Sequence, residues 1–157
     1  MNTPFNFRLT KFPNEAEILR HEVREFLSDA LKDVPKETRA ETWYGADENF
    51  SRKVGQQGWI GLNWPKEHGG AGRSSMERYV ILEEMLTAGA PVGAHWISDR
   101  QSGPLIIRYG TEKHQKELLP GILKGESYFC IGMSEPDSGS DLACLLYTSD
   151  AADESDR

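Results

Sequence analysis

Apolar positions recur at helical spacing through most of the first 126 residues. In residues 15–32 they return every three or four positions, which predicts one amphipathic helix. The residues of this apolar face are Ile18, Leu19, Val23, Phe26, Leu27, Ala30 and Leu31. Pro13 suits the first turn of the helix and Pro35 ends it, because proline fits a helix start but not its interior.

The next two helices have recognisable ends. Phe50 and Val54 lie one turn apart in residues 47–57, and Gly58 offers the left-handed stop that often follows a helix. A loop rich in Gly, Trp and Pro then covers residues 58–72. Ser74 followed by Glu77 has the spacing of a capping box, which predicts the start of a third helix.

Three more helices are predicted before residue 126. Residues 92–108 form the fourth, and Gly103-Pro104 is expected to kink or split it. Thr111 caps a fifth helix over residues 112–119, and Pro120 starts a short sixth one.

The pattern changes at residue 128. Residues 128–134 are short, aromatic and apolar, and they predict a strand. A strand needs partners for its backbone, and no second one follows, so the sequence indicates that a sheet is missing. We predict a mainly α fold: an N-terminal helical domain over residues 1–126, followed by the first strand of a truncated β-domain over residues 127–143.

The last fourteen residues differ in character from the rest. Residues 144–157, CLLYTSDAADESDR, resemble a translated sequencing adapter. We therefore expect the native sequence to run to about Ala143, and we exclude the tail from fold reasoning.

Composition and charge narrow the function. The chain has 18 Lys and Arg against 25 Asp and Glu, a net charge of -7, which argues against nucleic-acid binding. Its apolar runs are too short to span a bilayer, and its first residues do not resemble a secretory signal. Two cysteines without metal-ligand spacing favour a reducing compartment, so we expect a cytoplasmic protein with no metal site.

The residues with most chemical content are 131–142, IGMSEPDSGSDL. Exposed amides at a strand end, with a serine hydroxyl, offer hydrogen bonds to a flavin ring. A Ser-Gly-Ser turn lets the backbone approach a phosphate closely, because glycine has no side chain in the way. By composition alone such a turn remains a weak signal, since most turns of this kind bind nothing.

Three sequence motifs, taken together in their order along the chain, strengthen the evidence that this turn binds a ligand. Residues 133–141, MSEPDSGSD, resemble the acyl-CoA dehydrogenase signature of Thr/Ser-Glu-Pro, two variable residues and Gly-Ser-Asp. Upstream, GWIGL with WPKEHGGAG in residues 58–72, and YGTEKHQ with LP and KGE in residues 109–126, resemble the same family's loop and its approach to the flavin strand. The resemblance covers residues 12–143.

The resemblance implies an FAD enzyme that converts an acyl-CoA thioester to a trans-2-enoyl-CoA. The residues implied to line the flavin are Ile131, Gly132, Met133 and Ser134. Gly139 and Ser140 would lie near the flavin diphosphate, with Ser140 also near the CoA substrate. The general base of the family lies in a C-terminal domain, so no catalytic residue is assigned here. An electron-transferring flavoprotein is the implied electron acceptor, and a homo- or hetero-oligomer is the implied assembly.

Several alternatives stay open. The same architecture occurs in flavin oxidases and monooxygenases. A helical interaction module without catalysis is a different class, and a subunit whose partner supplies the base is a third possibility.

For four further residues the sequence allows two interpretations, and for three others it predicts a structural role. His95, Trp96, Asp99 and Arg100 lie where the family builds the wall of its acyl pocket, and a polar set there suits a carboxylated or ring-bearing acyl group. The alternative is a surface ion pair with an aromatic core residue. Trp59 and Trp64 are predicted packing anchors, and Cys130 a small buried hydrophobic residue.

Overall fold

The computed structural model describes residues 11–41 and 43–132, and its regular structure is almost entirely helical. The α-helices are α1 (Asn14–Ala30), α2 (Lys36–Ala40), α3 (Glu48–Gln56), α4 (Ser75–Thr87), α5 (Gly93–Ile97), α6 (Gly103–Tyr109) and α7 (Glu112–Leu123). A 3-10 turn covers Lys66–His68, and a π-helical turn, Ser98–Ser102, joins α5 to α6. The predicted mainly α fold is confirmed.

Helices α1 and α4 form the main pair. The buried stripe of α1 is Ala16, Leu19, Val23, Leu27 and Ala30, a spacing that keeps one face on the core. Helix α4 contributes Val80, Ile81 and Met85. Ile18 was predicted to belong to the apolar face, but it is 61% exposed. At 100° per residue it lies one position off the buried stripe, so periodicity alone placed it wrongly.

The loop over residues 58–72 fills the centre of the core. Trp59 and Trp64 are buried, as predicted for packing anchors. Phe26 of α1 meets the Trp59 ring edge-on, with 4.9 Å between ring centroids. Phe50 of α3 and Ile122 of α7 belong to the same cluster, so a loop whose regular structure is one 3-10 turn joins the core residues of α1, α3 and α7.

The predicted helix starts are formed by side-chain caps. Ser74 Oγ accepts a hydrogen bond from the Glu77 amide at 3.2 Å, and the Glu77 carboxylate accepts from the Ser74 amide at 2.8 Å. This is the predicted capping box. Asp47 caps α3 through the Phe50 amide at 2.7 Å, and Thr111 caps α7.

One predicted helix boundary is wrong. Pro120 does not start a sixth helix, since it lies inside α7, which continues to Leu123. Proline removes one helical hydrogen bond, but continuing the helix buries Leu119 and Ile122 on one side. The break predicted near Gly103-Pro104 is present: the π-helical turn Ser98–Ser102 separates α5 from α6, which starts at Gly103. Helix α2, which follows Pro35, was not predicted.

The strand predicted over residues 128–134 has no partner in the described part of the chain. Residues 128–132 carry no strand assignment, and residues 133 and 134 lie outside the description. Among the described residues the single β-pairing is a bridge between Ala46 and Val92. A strand depends on a neighbouring backbone for its hydrogen bonds, and none of the described segments supplies one here.

Candidate functional site

The described start of the predicted β-domain, residues 127–132, leaves the helical domain at a defined point. Gly125 turns the chain with φ +69°, and the Tyr128 hydroxyl donates back to the Gly125 carbonyl at 2.7 Å. The Ser98 hydroxyl donates to the Ser127 carbonyl at 3.0 Å. The beginning of the segment is therefore tied to α7 and to the π-helical turn.

After these hydrogen bonds at Ser127 and Tyr128, residues 130–132 are exposed to solvent. Phe129 packs against the core, Ile131 is 42% exposed, and a Cβ built on Gly132 would meet nothing within 4 Å. Cys130 was predicted to be buried, but it is exposed. The alternation along the segment puts Phe129 inward and Cys130 outward, with no second layer to cover the latter. The other candidate residues, Met133, Ser134, Gly139 and Ser140, lie outside the described residues.

Asp99 is buried rather than on the surface. Its Oδ1 accepts from the Gly61 amide at 2.8 Å, and its Oδ2 pairs with the Arg78 guanidinium at 2.9 Å. The Trp64 indole donates to its carbonyl at 3.2 Å. The suggested surface ion pair at this position is therefore wrong. Arg78 is in another helix, and no local spacing in the sequence connects it with Asp99.

His95 is also internal. A hydrogen bond of 2.8 Å joins its Nδ1 to the Ser51 hydroxyl. Burial lowers the pKa of His95 to about 4, although the charge of Asp99 opposes that shift. The imidazole is neutral near pH 7, and it links α5 to α3.

The space between α4 and α5 is nearly filled. His95, Asp99, Arg78 and Met85 line a cavity of about 10 Å³ there. That is about the volume of one water molecule and far too small for an acyl chain. The inner side of α5 is therefore packing, and a ligand wall on this helix has to use its outer side.

Arg100 is exposed on that outer side, whereas Trp96 is half-buried, packs against the core and also lines the small cavity. The Arg100 guanidinium carbon is 4.7 Å from the centroid of the Trp96 ring. Trp43 lies 6.2 Å from Trp96, and Tyr44 lies 4.0 Å from Trp43, measured between ring centroids.

The described residues were also searched for a metal-binding cluster and for a membrane-spanning helix. No group of three or more His, Cys, Asp or Glu in residues 11–41 and 43–132 is arranged to hold a metal ion. Among the same residues no helix has the length and hydrophobicity required to cross a membrane.

Comparison with known families decides the classification. The family described as acyl-CoA dehydrogenase, N-terminal domain, matches residues 13–126. The chain belongs to the acyl-CoA dehydrogenase family. Acyl-CoA dehydrogenase FadE26 of Mycobacterium tuberculosis is 35% identical over 146 residues, which cover 90% of this chain and 36% of the relative. Acyl-CoA dehydrogenase IpdE1 of Mycolicibacterium smegmatis is 35% identical over 143 residues, covering 87% of this chain and 36% of the relative.

Solved structures of acyl-CoA dehydrogenases have the same helical arrangement. A structure described as the Tcur3481-Tcur3483 steroid ACAD is 38% identical with a TM-score of 0.75, and the match covers 86% of this chain and 35% of that one. The ChsE4-ChsE5 complex from Mycobacterium tuberculosis is 34% identical with a TM-score of 0.73, covering 87% and 34%. The acyl-CoA dehydrogenase chain described here thus spans about a third of the length of the relatives it matches.

Proposed function

We propose that the protein containing this chain is an FAD-dependent acyl-CoA dehydrogenase that converts an acyl-CoA thioester to the trans-2-enoyl-CoA. The family match over residues 13–126 carries the proposal. The domain boundaries at residues 126 and 143, and the foreign origin of residues 144–157, remain predictions within it. A cytoplasmic location is part of the same proposal.

The described end of the candidate cofactor segment fits a flavin. Ile131 and Gly132 are exposed, and the open space at Gly132 suits the close approach of a flat ring that needs hydrogen-bond donors at its polar edge. We propose that Met133 and Ser134 continue this contact. Gly139 and Ser140 are proposed to approach the diphosphate, with Ser140 also near the substrate. When bound, FAD accepts the hydride that leaves the β-carbon of the acyl group.

The buried carboxylates among the described residues have structural partners. Among the described residues, Glu84 and Asp99 are the buried carboxylates. Hydrogen bonds from Arg24 and then Arg20 lower the pKa of Glu84 despite its burial. Arg20 and Arg24 occupy the Glu84 carboxylate, and Arg78 and the Gly61 amide occupy that of Asp99, so neither is available to remove the α-proton of a substrate. We propose that the general base comes from another region of the protein or from a partner subunit.

Substrate and assembly follow from the relatives. One similar structure is described as a steroid ACAD and another as a ChsE4-ChsE5 complex. We propose by analogy that the acyl group of this protein bears rings and that its assembly contains more than one type of subunit. An electron-transferring flavoprotein is the proposed electron acceptor.

The direct test uses the complete protein with every companion subunit present. It should purify yellow, and its flavin absorbance should bleach when an acyl-CoA is added without oxygen. A colourless protein would contradict the proposal and favour a helical interaction module. Rapid return of the colour with oxygen, and hydrogen peroxide as product, would instead indicate an oxidase. Incorporation of oxygen into the product would indicate a monooxygenase.

A further inference from the structure

We infer that Ser98 is a positioning residue for the flavin: its hydroxyl fixes the start of the proposed β-domain, and with it the placement of Ile131 and Gly132. The inference rests on the proposed function, because these two residues are proposed to line the flavin ring of that reaction. It concerns the inner side of the π-helical turn Ser98–Ser102, where Ser98 is enclosed by the core.

The Ser98 hydroxyl holds a segment that is distant in the chain. Ser98 is completely buried, and its hydroxyl donates to the Ser127 carbonyl at 3.0 Å, across 29 positions of sequence. A hydroxyl in a helix can instead donate to a carbonyl one turn earlier in the same helix. Ser28 and Thr87 do so, each at 2.7 Å. The hydrogen bond from Ser98 therefore joins two parts of the fold.

The turn that carries Ser98 is itself firmly held. The next residue, Asp99, accepts from the Gly61 amide and pairs with Arg78, and the Trp64 indole donates to the Asp99 carbonyl. Gly103, which follows the turn, lies so close to the Trp64 ring that a Cβ there would collide with it. Single π-helical turns are frequent at functional sites. A side chain on such a rigid support can define the position of another segment.

Ser127 is held from two sides. Its amide donates to the Gly121 carbonyl of α7 at 3.1 Å, while its own carbonyl accepts from Ser98. A Cβ built on Gly121 would collide with Ser127 Oγ, so α7 leaves little room for Ser127 to move. A few residues later the chain is exposed at Ile131 and Gly132. Where these two residues lie therefore depends on where Ser127 is held.

A displaced segment should affect the reaction more than it affects substrate binding. Hydride transfer depends steeply on the distance and alignment of the reacting atoms, and a misplacement of about 1 Å can cost about 100-fold in rate. Substrate affinity is the sum of contacts along the whole acyl-CoA, so a small shift beside the ring changes it little. The loss of the Ser98 hydrogen bond should thus appear in the rate of flavin reduction.

The test uses the complete protein with its companion subunits. Ser98→Ala removes the hydroxyl, and Ser51→Ala is the matched control, because Ser51 is also completely buried and its hydroxyl bonds to His95. Gly121→Ala displaces Ser127 from the α7 side, and alanine favours a helix, so this variant should fold. Stopped-flow absorbance measures flavin reduction and the dissociation constant of the acyl-CoA. Amide hydrogen exchange over residues 127–132, measured in the flavin-free protein, gives a readout without catalysis.

Ser98→Ala and Gly121→Ala should each slow flavin reduction by about tenfold, while the dissociation constant of the acyl-CoA changes by less than about threefold. Amide exchange over residues 127–132 should be about tenfold faster in Ser98→Ala, because the segment has lost a hydrogen bond. Ser51→Ala should match the wild type in all three measurements, even where its unfolding free energy falls as much as that of Ser98→Ala.

Two results would overturn the inference and leave the proposed function intact. One is equal slowing of flavin reduction in Ser98→Ala and Ser51→Ala, which would show that any buried hydroxyl has the same effect. The other is wild-type flavin reduction and amide exchange in Ser98→Ala. If Ser98→Ala does not fold, an unchanged rate of flavin reduction in Gly121→Ala overturns the inference on its own. A colourless wild-type protein would instead refute the proposed function.

Discussion

Replacing Asp99 with alanine removes two interactions from the interior at once. The Arg78 guanidinium loses its carboxylate, and the Gly61 amide loses its acceptor. Asp99 has 8% of its side chain exposed and Arg78 has 18%, so water replaces the lost groups poorly. Arg78 Nε is buried and has no hydrogen-bond partner among the described residues, which makes the remaining cation still less well satisfied.

The cost follows from these contacts. Removing one partner of a buried ion pair costs about 3–5 kcal/mol. The partial exposure of Arg78 moves the estimate for that pair toward about 3 kcal/mol, and the orphaned Gly61 amide adds about 1 kcal/mol. We expect Asp99→Ala to lower the free energy of unfolding by about 4 kcal/mol, a large fraction of a typical domain's total. Asp99→Asn keeps an acceptor for Gly61 and should cost less.

Urea unfolding followed by tryptophan fluorescence measures the effect, because Trp64 donates to the Asp99 carbonyl. Asp29→Ala is the control: its partner is Lys32, both side chains are mostly exposed, and the loss should stay below about 1 kcal/mol. If Asp99→Ala were no more destabilising than Asp29→Ala, the buried pair would not hold the π-helical turn against α4.

Three further changes test separate parts of the fold. His95 has a pKa of about 4 in the folded protein, below its unfolded value of 6.5. The unfolded chain therefore takes up a proton more readily than the folded protein as the pH falls from 6.5 toward 4. The free energy of unfolding should accordingly be highest above pH 6.5 and decrease over that range. That loss is about 3 kcal/mol, and His95→Gln should abolish the slope in a pH series of unfolding curves. Gly61→Ala should cost more in thermal melts than Gly58→Ala. Both glycines have positive φ, but only Gly61 is crowded by neighbouring side chains. Ser74→Ala should cost about 1 kcal/mol in urea unfolding, and Ser74→Thr, which keeps the cap, should not.

Local signals in the sequence were sufficient for the helices that have side-chain caps. Ser74 and Glu77 are three residues apart, so their capping box depends on neighbours in the chain and was predicted correctly. Pro120 gave the opposite result, because tertiary burial of Leu119 and Ile122 outweighed its local preference to start a helix. Propensity describes the isolated segment, and the core decides which segments continue.

The interior polar contacts lay beyond sequence reasoning for the same reason. Ser51 and His95 are 44 residues apart, and Gly61 and Asp99 are 38 apart. Helical periodicity identifies which face of one helix is apolar, but it does not show which distant polar group meets a buried carboxylate. The family resemblance predicted the architecture and left these pairings unspecified.

Helix α5 and the turn after it therefore have two sides with different chemistry. His95 and Asp99 face inward, where Ser51, Gly61 and Arg78 satisfy them, and their cost of burial is offset by those hydrogen bonds. Because the inward polar groups already have partners, they are unavailable to bind a ligand. Arg100 is exposed and stacks on Trp96, which itself packs against the core, so Arg100 is the position that can change while the fold stays the same. Specificity on this helix is therefore expected to vary at its outer positions and to leave the inner ones fixed.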